Sequence, residues 1–390
     1  MSTSSAIWTV FLKEVKDALR DRRTLMAVFI SSVLMGPLML VMLSSLVGKY
    51  EKRAEAREIV AIGLEHAPTL RNYLERQTFT VKTAPADWEG RLKDSKLGDP
   101  VVIVPSDFED ELAHGQAPRV ELVYSSANSR AQSGVGTIAQ LLQGFDHEQA
   151  SLRLIARGVA PGVTTVMRVD EHDIADAASR AAQMTGMVPV FVLLAVLYGS
   201  LNAALDTTAG ERERGSLEPL LATPATRAAL VVGKWGAVFA IGLLIAVLSC
   251  LSFLPAQSLL RSESLAALFR FGWVEAAWFI GLLAPLAAAL SALMMAISIR
   301  CKTFKEAQAN NVVLTMAVSM TPMLNLFNQE GESTWNLWVP SIAQTTLMNR
   351  VLKNAPIGPL DVAPSLFICI ALTAAALMFV SRQLTKRAAQ

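Results

Sequence analysis

The sequence predicts an α-helical polytopic membrane protein with six transmembrane helices and an extracytoplasmic α/β domain inserted between helices 1 and 2. The chain has 390 residues, of which 52% are hydrophobic and only 17% charged, whereas soluble domains carry about 25% charged residues. Six stretches reach the roughly 20 mostly apolar residues that a helix needs to cross a bilayer. These stretches, spans 1 to 6, cover residues 24–47, 184–205, 228–260, 271–299, 307–329 and 362–381.

Residues 1–23 are predicted to form a cytoplasmic amphipathic helix in front of span 1. Apolar residues recur there at intervals of three or four, and basic residues occupy the other face. Because a span follows directly, we expect the helix to lie in the membrane interface, although a plain cytosolic helix has the same pattern. Residues 24–48 exceed the apolar region of a signal peptide, and no small-residue cleavage site follows, so we expect this span to be retained.

The orientation follows from the basic residues beside the spans. Fifteen Lys and Arg residues flank the spans on the side of the two termini and four on the other side. Because basic residues accumulate in cytoplasmic loops, both termini and the loops after spans 2 and 4 are predicted to be cytoplasmic. Residues 49–183 are then extracytoplasmic, and spans 2 to 6 fall within residues 184–390.

Residues 49–183 are predicted to form a separate α/β domain, since short apolar runs alternate there with helix-like segments. The segment contains no cysteine, so its stability must come from its own core. The predicted strands are 59–64, 79–81, 101–104 and 120–124. The predicted helices are 69–76, 88–96, 108–112, 130–157 and 173–183.

The sequence lacks the motifs of the common nucleotide-binding, disulfide-bonded and metal-binding proteins. Gly233 and Lys234 lack the upstream glycine of a phosphate-binding loop, and the scattered cysteines and histidines fit neither disulfides nor a metal site. We therefore expect no catalytic residue, no metal and no nucleic-acid partner. Charges at mid-membrane are also missing, which disfavours a proton- or ion-coupled carrier.

Four asparagines are candidates for lining a translocation pathway. They lie in spans 2 and 5, which also contain Ser and Thr residues. Hydrogen bonding between helices is the simpler alternative for each of them. The candidates are Asn202, Asn310, Asn311 and Asn325.

The most informative segment is the cytoplasmic loop 210–234, GERERGSLEPLLATPATRAALVVGK. Charged residues alternate at its start, and Leu217, Leu220 and Leu221 then fall on one helical face. Pro224 ends that helix before span 3. An exposed helix with a leucine face suits docking into a groove of a cytosolic partner. The alternative is a solvated connector whose charges only set the topology.

This loop resembles that of the permease subunits of ABC type-2 transporters, also called type V ABC exporters. The shared run is Glu-x-Glu-x-Gly-Thr/Ser-Leu-Glu-x-Leu-Leu, then Thr/Ser-Pro, then Gly-Lys at the next span. The single large insertion after span 1 is similar to that of NatB-like sodium-efflux permeases. The likeness extends over the whole chain, and 300–311 looks like the family's second intracellular loop.

The resemblance implies a coupling helix at 208–224 that sits on a separate ATPase subunit, which would supply the bound ATP and Mg. It also implies two ATPases, a second permease copy as a homodimer or heterodimer, and a bacterial cytoplasmic membrane. Spans 1 and 5 are candidates for the dimer contact. The implied docking residues are Glu211, Arg212, Glu213, Arg214, Gly215, Leu217, Glu218, Leu221 and Pro224, with Arg300, Lys302, Lys305 and Glu306 in the second loop.

The substrate stays open at this point. Sodium ions follow from the resemblance alone, and a small hydrophobic or antibiotic compound fits an apolar pathway equally well. A membrane-anchored sensor or assembly factor with an extracytoplasmic ligand-binding domain is the alternative function. Residues 330–361 carry Trp335 and Trp338, which suit the outer interface, and 342–352 is expected to rest on the outer surface or to dip into it.

Overall fold

The computed structural model describes residues 3–20, 26, 30–165, 167, 174, 185–216, 219, 223, 225–260, 266, 269, 271–326 and 332–388. It divides into two compact units. One comprises Lys49–Asp173 and the other comprises Met1–Gly48 together with Ile174–Gln390. Each is described by itself.

The smaller unit is built around a four-stranded sheet in the order β2-β1-β3-β4. Strand β1 pairs in parallel with β2 and β3, and β3 pairs antiparallel with β4. The strands are β1 Glu58–Ile62, β2 Thr80–Thr83, β3 Val101–Ile103 and β4 Glu121–Val123. All four fall on the predicted segments, and their ends differ from the predicted ones by at most two residues.

Helices connect the strands at the predicted places. They are α3 Pro68–Arg76, α4 Trp88–Lys93, α5 Phe108–Ala113 and α6 Ser129–Ala156. Ile59, Leu70, Leu74 and Phe108 form the centre of the core. Of the helix predicted at 173–183, only residue 174 is described, and it is not helical.

Asn128 joins three segments of this unit through one buried side chain. Its Oδ1 accepts a hydrogen bond from the amide of Ala131, which caps the start of α6. Its Nδ2 donates to the carbonyls of Leu92, at 3.3 Å, and Leu97, at 2.8 Å. The side chain therefore closes the loop after α4 against the first turn of α6.

The larger unit is helical. Its helices are α1 Thr3–Arg20, α2 Met35–Ala56, α7 Val188–Leu205, α8 Arg227–Ala256, α9 Trp273–Ser298, α10 Phe304–Leu326, α11 Pro340–Leu352 and α12 Pro359–Ala388. Helix α2 begins in this unit and ends in the other, and it follows a π-helical turn at Ile30–Leu34. Helix α7 continues through a second π-helical turn, Asp206–Gly210, into a last turn at Glu211–Glu213.

Four of the described helices are long and apolar enough to cross a membrane. They are Val188–Glu213, Arg227–Leu259, Trp273–Ser298 and Pro359–Thr385. Predicted spans 2, 3, 4 and 6 fall on these helices. Span 1 lies partly outside the described residues, and the apolar helix described there is the shorter Gly36–Lys49. Span 5 forms α10, which begins with polar turns. A total of six spans stays a prediction.

Close packing holds these helices together, because two apolar helices in lipid gain little hydrophobic free energy from each other. Phe253, Phe279 and Leu197 are fully buried at the centre. Gly199 of α7 faces Ile245 of α8, and a β-carbon on this glycine would overlap the end of the isoleucine. The glycine therefore permits the two helices to approach closely.

Helix α11 covers the segment for which a surface or re-entrant position was predicted. Its side chains from Ser341 to Met348 are buried, including Gln344, Thr345 and Thr346. Ser341 bonds to Thr321 of α10, and Gln344 bonds to Ser365 of α12. The helix therefore packs into the helical unit instead of lying on its surface.

Asn128→Ala tests the smaller unit. It removes one cap and two buried hydrogen bonds, which should cost about 1–3 kcal/mol. In hydrogen–deuterium exchange on the full chain, the amides of α6's first turns and of residues 92–97 should exchange on the order of 5- to 100-fold faster. Asn128→Ser keeps a neutral capping oxygen for the amide of Ala131 and loses the donated bonds without adding a buried charge, so its α6 amides should change less. Equal exchange for both variants would contradict the capping role.

Candidate functional site

A closed ring of four charges lies where α1, α8 and the end of the α7 segment meet. Lys234 Nζ lies 2.8 Å from Glu14 Oε1 and 2.5 Å from Glu211 Oε2. Lys13 Nζ completes the ring at 2.8 Å from Glu211 Oε1 and 3.0 Å from Glu14 Oε1. Each lysine therefore contacts both glutamates, and the ring carries no net charge.

Each side chain of the ring comes from an element that holds it in place. Lys13 and Glu14 are neighbours on α1, and Lys234 lies two turns into α8. Glu211 directly follows the π-helical turn Asp206–Gly210. Such turns change the backbone bonding from i+4 to i+5 and often occur at functional sites. Within this one, the carbonyl of Thr207 accepts a further bond from Lys234, at 3.2 Å.

Burial makes the pairing necessary. Glu14, Glu211 and Lys234 are only 4%, 5% and 4% exposed, and leaving a buried charge without a partner typically costs about 3–5 kcal/mol. Lys13 is more exposed and forms the outer edge of the ring. Burial lowers its pKa, but the hydrogen bonds to Glu211 and Glu14 outweigh burial, and the net pKa lies above the ordinary range. Lys13 therefore stays charged at physiological pH.

Gly233 brings α8 against α1 next to the ring. A β-carbon at this position would lie 2.8 Å from two atoms of Val10 and 3.0 Å from the backbone oxygen of Ile7. Backbone cannot move aside as a side-chain end can, so only glycine fits without separating the helices. The Gly-Lys pair thus has two functions: the glycine permits contact with α1, and the lysine bonds to it.

A second set of bonds ties the end of the α7 segment to the loop between α9 and α10. Arg212 Nη1 donates to the carbonyl of Cys301 at 2.7 Å, just after α9 ends. Glu213 Oε2 accepts from the amide of Phe304 at 2.7 Å, at the first residue of α10. We call these two bonds the clasp. It satisfies groups that helix ends leave unpaired.

The described part of the predicted coupling helix differs from a single helix over 208–224. Residues 207–211 are buried, and helical structure is interrupted after Glu213 and is described again at Pro219. Gly215 has φ 70° and Ser216 bonds back to the carbonyl of Glu211, so the chain turns there. Leu217, Glu218, Leu221 and Pro224 lie outside the described residues.

The predicted docking residues therefore separate into inward and outward groups. The carboxylate of Glu211 faces the ring because it pairs with two lysines, so it is not presented to a partner. Arg212 and Glu213 use their charged groups in the clasp, although Glu213 remains exposed. Arg214 is exposed, and its guanidinium bonds only the carbonyl of Asp206, at 3.3 Å, among the contacts recorded for the described chain.

The loop between α9 and α10, predicted to be the second cytoplasmic loop, has exposed basic residues. Arg300, Lys302 and Lys305 are exposed. Glu306 folds back, and its Oε2 accepts from the amide of Lys302 at 2.7 Å. This loop thus lies beside the clasp and presents three basic side chains there.

The four candidate asparagines have different surroundings. Asn311 is buried and donates to Ser298 of α9 at 2.9 Å. It thus forms a hydrogen bond between two helices, which was the alternative to lining a pathway. Asn310 donates to Cys301 Sγ at 3.2 Å. Asn202 is exposed, and the side chain of Asn325 lies outside the described residues. The described asparagines therefore do not converge on one site.

Glu14 is the functional residue that sequence reasoning missed. It follows Ala6 and Val10 at four-residue spacing, and all three are buried on one face of α1. A carboxylate in line with a buried apolar stripe was the available signal, since such a group needs a buried cation. Lys234 in an otherwise apolar span was the matching signal.

In the smaller unit, the carboxyl ends of β1 and β3 mark the switch point at which parallel sheets commonly bind ligands. Here that edge is closed by the unit's own groups. A β-carbon at Gly63, after β1, would overlap the carbonyl oxygen of Val104. Glu109 bonds the hydroxyl and amide of Thr69, at the start of α3. The carboxylate of Glu109 therefore lies at the N-terminus of α3, where the helix dipole favours a negative charge.

Four helices that are long and apolar enough to cross a membrane define a helical, multi-pass membrane protein. The family model described as "ABC-2 family transporter protein" matches residues 8–382, and the chain belongs to this family. It is 28% identical over 329 residues to the ABC transporter permease protein NatB of Bacillus subtilis (strain 168), which covers 82% of each chain. The chain is thus a permease subunit of an ABC transporter, a transport component and not itself an enzyme.

Lys234→Met tests the ring by leaving two glutamates with one lysine. We expect it to lower the free energy of unfolding by about 3–5 kcal/mol, seen as a lower melting temperature of the purified full chain in detergent. Adding Glu14→Gln restores a neutral pair, Lys13 with Glu211, so the double variant should be more stable than Lys234→Met alone.

Asp17→Asn is the control, because Asp17 is exposed and lies 3.6 Å from Lys13. Its effect should stay below about 1 kcal/mol. A double variant that is less stable than either single variant would show that the ring does not act through its charge balance.

Proposed function

We propose that this chain is the translocation subunit of an exporter driven by a separate ATPase, and that the ATPase docks on the segment 208–224 and on the loop between α9 and α10. The observation that carries the proposal is the double attachment of the α7 end. Glu211 bonds to α1 and α8 through the ring, and Arg212 and Glu213 bond to the α9–α10 loop through the clasp.

These attachments are suited to transmitting a displacement. Any movement of the Glu211–Glu213 turn acts directly on α7, because the helix is continuous into it. The same movement acts on α8 through Lys234 and on α10 through the capped amide of Phe304. Helix α8 has 30 residues and is therefore about 45 Å long, so a shift at its start can reach the far side of a bilayer.

The proposed docking surface is the outward part of this region. It includes Arg214 and the basic residues of the second loop, all exposed. Leu217, Glu218, Leu221 and Pro224 keep their proposed docking role on the basis of the sequence pattern. Glu211 is reassigned from a contact residue to one that positions the segment from inside.

The arrangement proposed in the membrane follows the charge distribution of the sequence. Both termini and the ring face the cytoplasm, and residues 49–183 lie outside. Two permease copies, as a homodimer or a heterodimer, pair with two ATPases. The family assignment favours this transport role over a membrane-anchored sensor.

Sodium ions and small hydrophobic or antibiotic compounds are the two proposed substrate classes. The charged residues of the four long apolar helices lie towards their ends, as Lys234 does in α8, Glu275 in α9 and Asp361 in α12. ATP-dependent efflux of radioactive sodium from loaded inverted vesicles, measured beside efflux of a panel of hydrophobic antibiotics, separates the two classes.

Co-purification tests the partner. A tagged full chain, expressed with a cytosolic ABC ATPase from the neighbouring gene, should retain that ATPase in detergent. If the ATPase is not retained under conditions in which the permease stays folded, the proposed drive is wrong.

Arg214→Glu and Glu218→Arg test the docking surface. Both reverse a charge in the proposed surface. The side chain of Arg214 has no recorded bond to a ring or clasp side chain in the described structure, so we expect the Arg214 variant to stay folded, and the melting temperature of the Glu218 variant shows whether it folds too. We expect transport to fall by at least about tenfold, because like charges across an interface cost several kcal/mol. The measurement is substrate efflux and ATP hydrolysis by the reconstituted complex.

Lys353→Glu serves as the matched control, because Lys353 is exposed just after α11 and lies on the predicted outer side. It should leave efflux and ATP hydrolysis unchanged. Glu213→Ala is a poorer test than Arg214→Glu, since it also removes the cap of α10. Equal loss in the Lys353 and Arg214 variants would count against docking at this segment.

A further inference from the structure

Two adjoining cavities lie at the basic end of α9, α10 and α12. One has a volume of about 540 Å³ and is lined by α9, the following loop, α10 and Phe379 of α12. The other has about 460 Å³ and is lined by the last turns of α12, again with Phe379. The shared phenylalanine makes them one groove, which we call the Phe379 groove.

One wall of the Phe379 groove is apolar. Leu293, Ala296 and Ile297 line it from α9, opposite Phe379. The apolar surface continues along α12, because Ala375 and Leu372 lie four and seven residues before Phe379 and are exposed. On an α-helix this spacing places the three side chains on one face. The groove therefore continues into the part of α12 that is long and apolar enough to cross a membrane.

The rim of the groove is basic. Arg300 lines the first cavity and Arg382 lines the second, and both are exposed. Neither has a recorded side-chain hydrogen bond or ion pair within the described parts of the chain, unlike Arg212 and Lys234. Glu306 also lines the groove, but its carboxylate accepts from the amide of Lys302. Two available guanidinium groups thus stand at the end of an apolar channel.

We propose that the Phe379 groove binds an anionic phospholipid from the cytoplasmic leaflet. The phosphate headgroup pairs with Arg300 and Arg382, and an acyl chain lies along Leu293, Ile297 and Phe379. Arginine is suited to phosphate because its planar fork can donate two parallel hydrogen bonds. Basic pockets between transmembrane helices on the cytoplasmic side bind anionic headgroups in this way.

The positive charge of Arg300 and Arg382 favours an anionic phospholipid over other ligands of the Phe379 groove. A zwitterionic lipid brings a cation next to the two arginines and gains less there. A soluble phosphate compound gains the arginines but leaves the apolar wall uncovered. The groove rests on the proposed orientation of the chain and shares Arg300 with the proposed docking surface, so it is tested in vesicles that contain no ATPase, where a failure of lipid binding is distinguishable from a failure of docking.

Quenching of a tryptophan placed in the groove tests this proposal. The Phe379→Trp full chain is reconstituted without any ATPase in vesicles that contain brominated phosphatidylglycerol or brominated phosphatidylcholine. The signal of the chain without this substitution is subtracted, because the chain has seven tryptophans of its own. We expect quenching of the introduced tryptophan to favour phosphatidylglycerol by about tenfold.

Two variants on the Phe379→Trp background separate the groove from general surface charge. Arg300→Gln with Arg382→Gln should abolish the preference for phosphatidylglycerol. Lys302→Gln with Lys305→Gln removes the same amount of positive charge from neighbouring residues that do not line the groove, and should retain the preference. An equal loss in both pairs would overturn the proposal in favour of diffuse attraction to the membrane.

A third variant tests the apolar wall. Ala296→Phe fills the groove and leaves both arginines in place, so it should reduce quenching by both lipids. Undiminished quenching would show that no acyl chain lies there. Absence of quenching by either lipid with the arginines intact would show that a second copy of the chain covers the groove, which also overturns the proposal.

Discussion

The packing of α1, α7 and α8 at one end of the helical unit depends on the burial of Lys234 in an apolar helix. An ammonium group at that depth requires an anion within contact distance, and two are provided from different elements, Glu14 and Glu211. The second lysine is then required, because two glutamates around one lysine would leave a net negative charge. Four residues that are far apart in sequence are therefore interdependent.

This interdependence explains local features that otherwise have no cause. The π-helical turn after α7 supplies the Thr207 carbonyl to Lys234, Gly233 permits α1 to approach, and the turn at Gly215 follows directly after the clasp. At each of these places regular helical structure is interrupted or a side chain is absent, and polar groups come close together as a result. Such local exceptions are typical of functional sites.

Much of the fold could be predicted from the sequence, because apolar periodicity marks the strands and helices directly. The four strands, the helices that connect them and spans 2, 3, 4 and 6 are examples. Asn311 likewise forms a hydrogen bond between α9 and α10, as predicted by the alternative to a pathway role. The ring could not be predicted in the same way, since its partners are separated by 23 and 220 residues. The motif indicated that Glu211 mattered, but not that it points inward, because pattern alone does not show which side of a loop is covered.

The charges at this end of the helical unit therefore fall into two classes with different consequences. Those of the ring and the clasp are used within the chain, so they determine how its helices move together. Those of Arg214, Arg300, Lys302, Lys305 and Arg382 have no carboxylate partner recorded in the described structure and face outward. Since an exposed charge contributes little to stability, the outward set is free to serve recognition, whereas any change in the inward set also alters folding. The run ERERG mixes both kinds of residue, so we expect substitutions at its inward positions to alter folding, and the proposed coupling is best tested at its outward positions.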